Sequence, residues 1–252
     1  MTSKRAELRR QQEAAAQGAK TRRIVVAGIV LLALTVVVVF AVVIIQALNR
    51  PGAEVAQQTP PNATAGHGIL LSGKAPRDGV PHLVIWGDYL CPACASIEQG
   101  YGPVVDELVA EGSITAEVRQ AYFKDHGTAY GGSKRAAMAA AAADAVGHFD
   151  AYHAALFAQQ STGYPNALLR EELPAQVGIE GDDLKTFQKL YDDRAFDTWT
   201  AEADTAFTTG PYDTTPSYIV GDTVLTFYDQ DAKKLLIEPT KESLLAAIEA
   251  AQ

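Results

Sequence analysis

The longest hydrophobic stretch runs from Ile24 to Leu48, IVVAGIVLLALTVVVVFAVVIIQAL, with Gly28, Thr35 and Gln46 its only non-apolar residues and no charge. As a helix it extends roughly 37 Å, enough to cross a hydrocarbon core of about 30 Å. After it the pattern breaks into short elements. Ile69 to Leu71 is a brief apolar run, and His82 to Trp86 (HLVIW) follows Pro81 as a compact buried strand. Gly87 and Asp88 end that run, and Pro92 stands at the first turn of a helix, where its missing N–H costs nothing. This helix is expected to bend or break at Gly102 and Pro103, to carry Val104, Val105, Leu108 and Val109 on one face, and to stop at Gly112. From Ile114 to Tyr122 a period of two predicts another strand.

Helical spacing then takes over. An alanine-rich helix is predicted over 133–146, followed by a stripe of Phe149, Tyr152, Ala155 and Leu156. A third stripe, Leu184, Phe187, Leu190 and Tyr191, begins after Asp182 as its cap, and a fourth holds Phe196, Trp199 and Ala203. Phe149, Tyr152 and Trp199 read as core. Ser217 to Val220 and Val224 to Tyr228 read as strands joined by a Gly221-Asp222 hairpin, and Thr240 to Ala250 as a last amphipathic helix. No repeat at solenoid period is present.

Charge sharpens this picture. Residues 1–50 hold eight Lys/Arg against two Asp/Glu, whereas the whole chain of 252 residues carries a formal charge of -9, so the body beyond residue 50 is strongly acidic. Such a surface excludes nucleic acid as a partner. The basic flank before Ile24 keeps residues 1–23 in the cytoplasm and exports the body, with 24–48 as an uncleaved transmembrane signal anchor. The apolar stretch is too long for a cleaved signal peptide, and Pro51 suits no peptidase site before Ala53. Residues 49–67, rich in Pro, Gly, Ala and Thr, read as a flexible linker, and Asn62 to Thr64 match a glycosylation sequon.

The chemistry centres on the only two cysteines, in Cys91-Pro92-Ala93-Cys94, which follow a strand and open a helix. The thiolate is the nucleophile of disulfide exchange, and a helix N-terminus stabilises it through unpaired N–H groups and partial positive charge. Cys91 is therefore the expected attacking sulfur and Cys94, one turn further in, the resolving one. Asp88, three residues before Cys91, either assists proton transfer at Cys94 or caps the turn. Zinc is the competing use of the pair, with His148 and His153 as further ligands, but residues five apart on a helix point about 140° from each other. Both histidines read instead as helix-surface residues, and His82 and His126 as structural or solvent-facing; no metal is expected.

The matches WGDYLCPAC, a bent helix carrying Pro103, FDAYHAALFAQQ at 149–160 and TTPSYIVGD at 214–222 resemble the DsbA-like, thioredoxin-fold thiol-disulfide oxidoreductases, in particular the membrane-anchored forms of Gram-positive bacteria. The resemblance covers residues 68–252. It implies an α/β thioredoxin-like fold with a helical insertion at about 128–208, preceded by one transmembrane helix. It implies further that Pro216 is cis and lies against the cysteine pair, with the backbone of Thr215 pairing with an extended substrate. It requires no cofactor beyond the redox-active disulfide. One departure stands out: many oxidising members have His before the second cysteine, and here that residue is Ala93.

The leading reading is a membrane-tethered enzyme that forms disulfides in newly exported, unfolded proteins and is reoxidised by an integral-membrane partner. Ala93 favours a second, a reductase or isomerase of the same fold. A third is a non-catalytic chaperone or binding module with a structural disulfide. Sequence leaves the direction of electron flow open.

Overall fold

The computed structural model of the chain describes residues 56–160, 163–212 and 214–252. The expected membrane span, Ile24–Leu48, lies outside them; among the described residues no helix is long and apolar enough to cross a membrane.

A five-stranded mixed sheet forms the centre. Its strands are β1 (Gly68–Leu70), β2 (His82–Gly87), β3 (Thr115–Gln120), β4 (Ser217–Val220) and β5 (Thr223–Val224), in the order β1-β3-β2-β4-β5. β2 and β3 run parallel, while β1 is antiparallel to β3, β4 to β2, and β5 to β4. Parallel neighbours need a crossover, and helix α1 (Pro92–Glu111) supplies it. The unbroken apolar run in β2 follows from burial on both faces. Leu83 and Ile85 join the main core with Val105 and Leu108 of α1, whereas Val84 and Trp86 turn to the opposite face, where Trp86 meets Phe207 at 5.3 Å between ring centroids.

The insertion consists of α2 (Gly132–Ala145), α3 (Phe149–Ala158), a π-helical turn (Leu168–Glu172) leading into the short α4 (Leu173–Gln176), α5 (Gly181–Asp192) and α6 (Asp197–Thr209). Every alanine from Ala136 to Ala143 in the alanine-rich helix is buried, together with Met138. Small side chains let α2 serve as a central rod against which α3 and α5 pack closely. Phe149, Tyr152 and Trp199 are buried as expected, and the Tyr152 hydroxyl donates to the Leu169 carbonyl at 2.6 Å. A two-stranded ribbon, β6 (Tyr228–Asp229) and β7 (Lys234–Leu235), precedes the final helix α7 (Lys241–Ala250), whose Thr240 cap accepts from the Ser243 amide.

Several expectations need correction. α1 does not break at Gly102 and Pro103 but runs through them as one helix; the proline removes the bond to the carbonyl of Gln99, an exposed residue. The strand predicted at Val224 to Tyr228 is divided: β5 ends at Val224, and Tyr228 opens the β6–β7 ribbon. β3 is not half-exposed, since Thr115 and Glu117 are buried as fully as Ala116 and Val118. Glu117 tolerates this because His82 and Arg119 pair with it. Helix α5 starts from Glu180, and Asp182, in its first turn, bonds Lys185 instead of capping.

The expected linker 49–67 is also shorter than its composition suggests. The Gln58 amide donates to the Ala195 carbonyl, Gln57 bridges Arg194 and Thr198, and Ala63 pairs with Ile69. Asn62 gives its backbone and side-chain amides to the two oxygens of Asp144, at 2.9 and 2.8 Å. Asn62 thus has a structural role in tying this stretch to α2.

Candidate active site

Cys91 is the N-cap of α1 and Pro92 its first residue. The loop is held from behind. The Cys91 amide donates to the Asp88 carbonyl at 2.9 Å, and the Gln160 side-chain amide donates to the carbonyls of Tyr89 and Cys91 at 2.9 and 2.7 Å. The Tyr164 hydroxyl stands 2.9 Å from the Tyr89 carbonyl. The insertion thus fixes the strand-to-helix corner that presents the first cysteine.

Across the corner, the Thr215-Pro216 bond is cis, and the Cys91 thiol donates to the Thr215 carbonyl at a sulfur-to-oxygen distance of 3.6 Å. Two segments more than a hundred residues apart therefore meet at one sulfur. β2–β4 pairing causes this: with Trp86 opposite Ser217, the residues after β2 and those before β4 emerge at the same end of the sheet. Both cysteines are free thiols and are buried, whereas Pro92 and Ala93 are exposed.

The two sulfurs differ electrostatically. A hydrogen bond from Cys94 lowers the Cys91 thiol to about 5, against the opposing effect of burial, with further help from Thr215 and the amides of Cys94 and Ala93. The buried hydroxyl of Thr215 has no hydrogen-bond partner among the described residues. Cys94 is pushed far up, because its proton is shared with Cys91 and because it is buried. The geometry thus separates a nucleophile that is ionised at neutral pH from a partner that keeps its proton. It does so with Ala93 in place of histidine.

Asp88 is tied into the surrounding loops. Its carboxylate is fully buried and accepts from the Leu90 amide at 2.8 Å, the Lys124 amide at 2.9 Å and the Ser133 hydroxyl, tying the end of β2 to the loop after β3 and to α2. Burial raises its pKa and these bonds oppose the rise. The bond from the Leu90 amide caps the turn.

The histidines separate as well. His148 bonds the Val177 carbonyl and His126 is exposed, while His82 joins Thr115 and Glu117. His153 is not on the surface: it is 4% exposed, and it turns inward toward the cysteine pair because α3 packs against α1. Glu98 and Gln120 were not singled out from the sequence, and His153 was weighed there only as a zinc ligand or a surface residue. Only Glu98 left a trace there, as the residue one helical turn after Cys94.

The sequence matches the family model described as Thioredoxin over residues 77–239, and the chain belongs to that family. No curated protein matches the chain in sequence. Within the family, the helical insertion gives the domain the DsbA-like form of the fold. One similar solved structure is MdbA, a thiol-disulfide oxidoreductase from Corynebacterium diphtheriae, at 15% identity and a TM-score of 0.57, covering 81% of this chain and 100% of that one. Another is MdbA from Actinomyces oris, at 19% identity and a TM-score of 0.59, covering 79% and 97%. A third is the reduced form of the disulfide bond oxidoreductase DsbG from Mycobacterium tuberculosis, at 24% identity and a TM-score of 0.55, covering 75% and 89%.

Proposed function

We propose that the chain is an extracytoplasmic thiol-disulfide oxidoreductase, anchored by Ile24 to Leu48, that forms disulfides in exported proteins. Cys91 is the sulfur that exchanges with clients, and Cys94 is its resolving partner. The observation that carries this reading is the placement of Cys91 at the N-cap of α1, with Cys94 one turn further in and the cis Thr215-Pro216 bond facing it. A thiol that titrates near 5 is ionised at pH 7 by two pH units. This stabilises the dithiol form and so moves the couple in the oxidising direction. Ala93 favours a reductase, but the bonds from Cys94, Thr215 and the helix amides supply thiolate stabilisation without a histidine.

An extended client lies along Thr215, whose backbone offers it strand-like pairing, so that a client cysteine reaches Cys91. No cofactor other than the Cys91-Cys94 disulfide takes part. A membrane-embedded partner restores that disulfide by the same exchange, and the tether keeps the domain where exported chains emerge.

The test is equilibration of the full chain with thiol-disulfide buffers at pH 7. A potential well above thioredoxin's, about -270 mV, supports disulfide formation. A value at or below it assigns the chain to reduction. Cys94→Ser should accumulate client mixed disulfides on Cys91, and their absence on a folded variant would reduce the pair to a structural disulfide.

A further inference from the structure

The backbone of the first cysteine is tied on both sides. Its amide donates to the Asp88 carbonyl at 2.9 Å, and its carbonyl accepts the first bond of α1 from the Ala95 amide at 3.2 Å. Both of these are local, within four residues. A third tie comes from the insertion. Nε2 of Gln160 carries two protons and stands 2.7 Å from the Cys91 carbonyl and 2.9 Å from the Tyr89 carbonyl. One amide group therefore grips two carbonyls that flank the turn into α1.

What lies behind Gln160 is rigid. Gln160 follows the C-cap of α3, where the Gln159 amide closes the last turn on the Ala155 and Leu156 carbonyls. The Tyr89 ring is driven into α3, with centroids 5.1 Å from Phe157 and 5.6 Å from His153. Tyr164, fully buried, stands with its hydroxyl 2.8 Å from the Leu156 carbonyl and 2.9 Å from that of Tyr89, so it bridges the helix to the corner. Arg135 of α2 donates in turn to the Tyr164 carbonyl at 3.0 Å. Tyr89 and Tyr164 are interior anchors. Gln160 is different, a half-buried side chain at the rim beside the exposed Pro92 and Ala93. Its loss leaves the anchors in place and removes the tie on the sulfur's own residue.

We propose that Gln160 is a positioning residue for disulfide exchange, holding the Cys91 backbone so that its sulfur keeps one line of attack toward both the client and Cys94. The inference rests on the reading of Cys91 and Cys94 as an exchanging pair. When a client thiolate attacks Cys91, the client-Cys91 bond forms and the Cys91-Cys94 bond breaks. The electron pair leaves with Cys94, which takes up a proton. The client's second thiolate then attacks the client sulfur of the mixed disulfide and releases the Cys91 thiolate, so the client is oxidised and the enzyme reduced. Each attack on Cys91 needs three sulfurs nearly in line, which makes the rate sensitive to small shifts of that one atom.

Positioning of this kind has its own signature. Gln160 is uncharged and bonds carbonyls, not the sulfur, so the charge on Cys91 stays in the care of Cys94, Thr215 and the helix amides. The same line also serves both directions, since Cys94 attacks Cys91 along the path by which it left. Loss of the grip therefore slows opening and closing together. The balance between dithiol and disulfide is left where it was.

The test follows opening of the Cys91-Cys94 bond in the oxidised full chain by dithiothreitol, and its closing by oxidised dithiothreitol, with acid quench, alkylation and mass measurement. Gln160→Leu keeps the bulk and removes both donors. A misplacement of about 1 Å can cost about 10²-fold, so a loosening of about half that should slow both directions about tenfold. The equilibrium constant with dithiothreitol should stay within about twofold, and the thiolate midpoint of Cys91 and its alkylation by iodoacetamide should match wild type. A residue that only stabilises the fold would lower the urea midpoint and leave the exchange rates alone. If Gln160→Leu does not fold, Gln160→Asn, too short to reach both carbonyls, and Tyr164→Phe carry the test, the latter with a loss of about two- to threefold. Wild-type rates in a folded Gln160→Leu, or in both substitutes where it does not fold, overturn the positioning role. So does a slow variant whose Cys91 midpoint has moved by about a unit, since the effect would then be electrostatic. A wild-type chain whose Cys91-Cys94 bond does not exchange with dithiols overturns the functional reading and this inference with it.

Discussion

Replacing Cys94 with alanine removes the largest influence holding Cys91 ionised, because the bond from the Cys94 thiol leads the causes of its lowered pKa. A hydrogen bond to a charged group contributes about 1.5 to 3 kcal/mol, which corresponds to about 1 to 2 pH units. Thr215 and the helix amides remain. The Cys91 midpoint should therefore rise from about 5 to between about 6 and 7. At pH 6 the ionised fraction would fall from about nine-tenths to between roughly a half and a tenth. Thiolate absorbance near 240 nm, followed from pH 3 to 9 in the Cys94→Ala chain and in the reduced wild type, measures this directly. Alkylation rates provide a second signature. Below pH 6 the variant should react more slowly, because less thiolate is present. Near pH 9, where both are ionised, it should react about 3 to 10 times faster, because a more basic thiolate is a better nucleophile. A midpoint still near 5 in the variant would show that the helix end and Thr215 suffice, and a wild-type midpoint near 8.5 would refute the whole electrostatic argument.

Thr215→Val removes the buried hydroxyl but keeps the carbonyl that faces Cys91, so its Cys91 midpoint should rise by less than in Cys94→Ala; an unchanged titration would remove the hydroxyl from the account. Glu117→Gln leaves the partly buried Arg119 and His82 without their carboxylate and should cost about 3 kcal/mol in urea unfolding. Burial alone would raise Glu117, but His82, Arg119 and Thr64 hold it below its ordinary range. Its stabilisation is thus present above the usual carboxylate pKa and is lost as pH falls through the lower folded value. Wild type should accordingly lose stability below about pH 4.5 more steeply than the variant, and parallel curves would contradict this. Asn62→Ala should cost about 1 to 3 kcal/mol, because the buried Asp144 loses its side-chain donor and keeps only the backbone amide of residue 62. Faster amide exchange around Leu70 and Ala63 is the accompanying signal, and unchanged exchange would count against it.

The local code determined a good deal. Period-two and period-3.6 patterns, the proline at the start of α1, the glycine at its end and the Gly221-Asp222 turn act within a few residues, so β2, β3, β4 and most of the helices were legible from local pattern. It also determined that Cys91 opens a helix, since a proline one residue later admits little else. Where composition was the only guide it misled: the polar stretch around Asn62 is bonded to Asp144, and His153, on a helix with a mixed pattern, faces inward. Those outcomes depend on which element packs against which, and no local pattern carries that information. Tertiary structure alone brought Thr215 to Cys91 through the antiparallel register of β4 on β2, and set Glu98, Gln120 and His153 around one small cavity. It also replaced the missing histidine: with Ala93 in the loop, the bonds that ionise Cys91 come from Cys94, Thr215 and the first amides of α1, and their strength lies in being held at fixed distances by the folded chain.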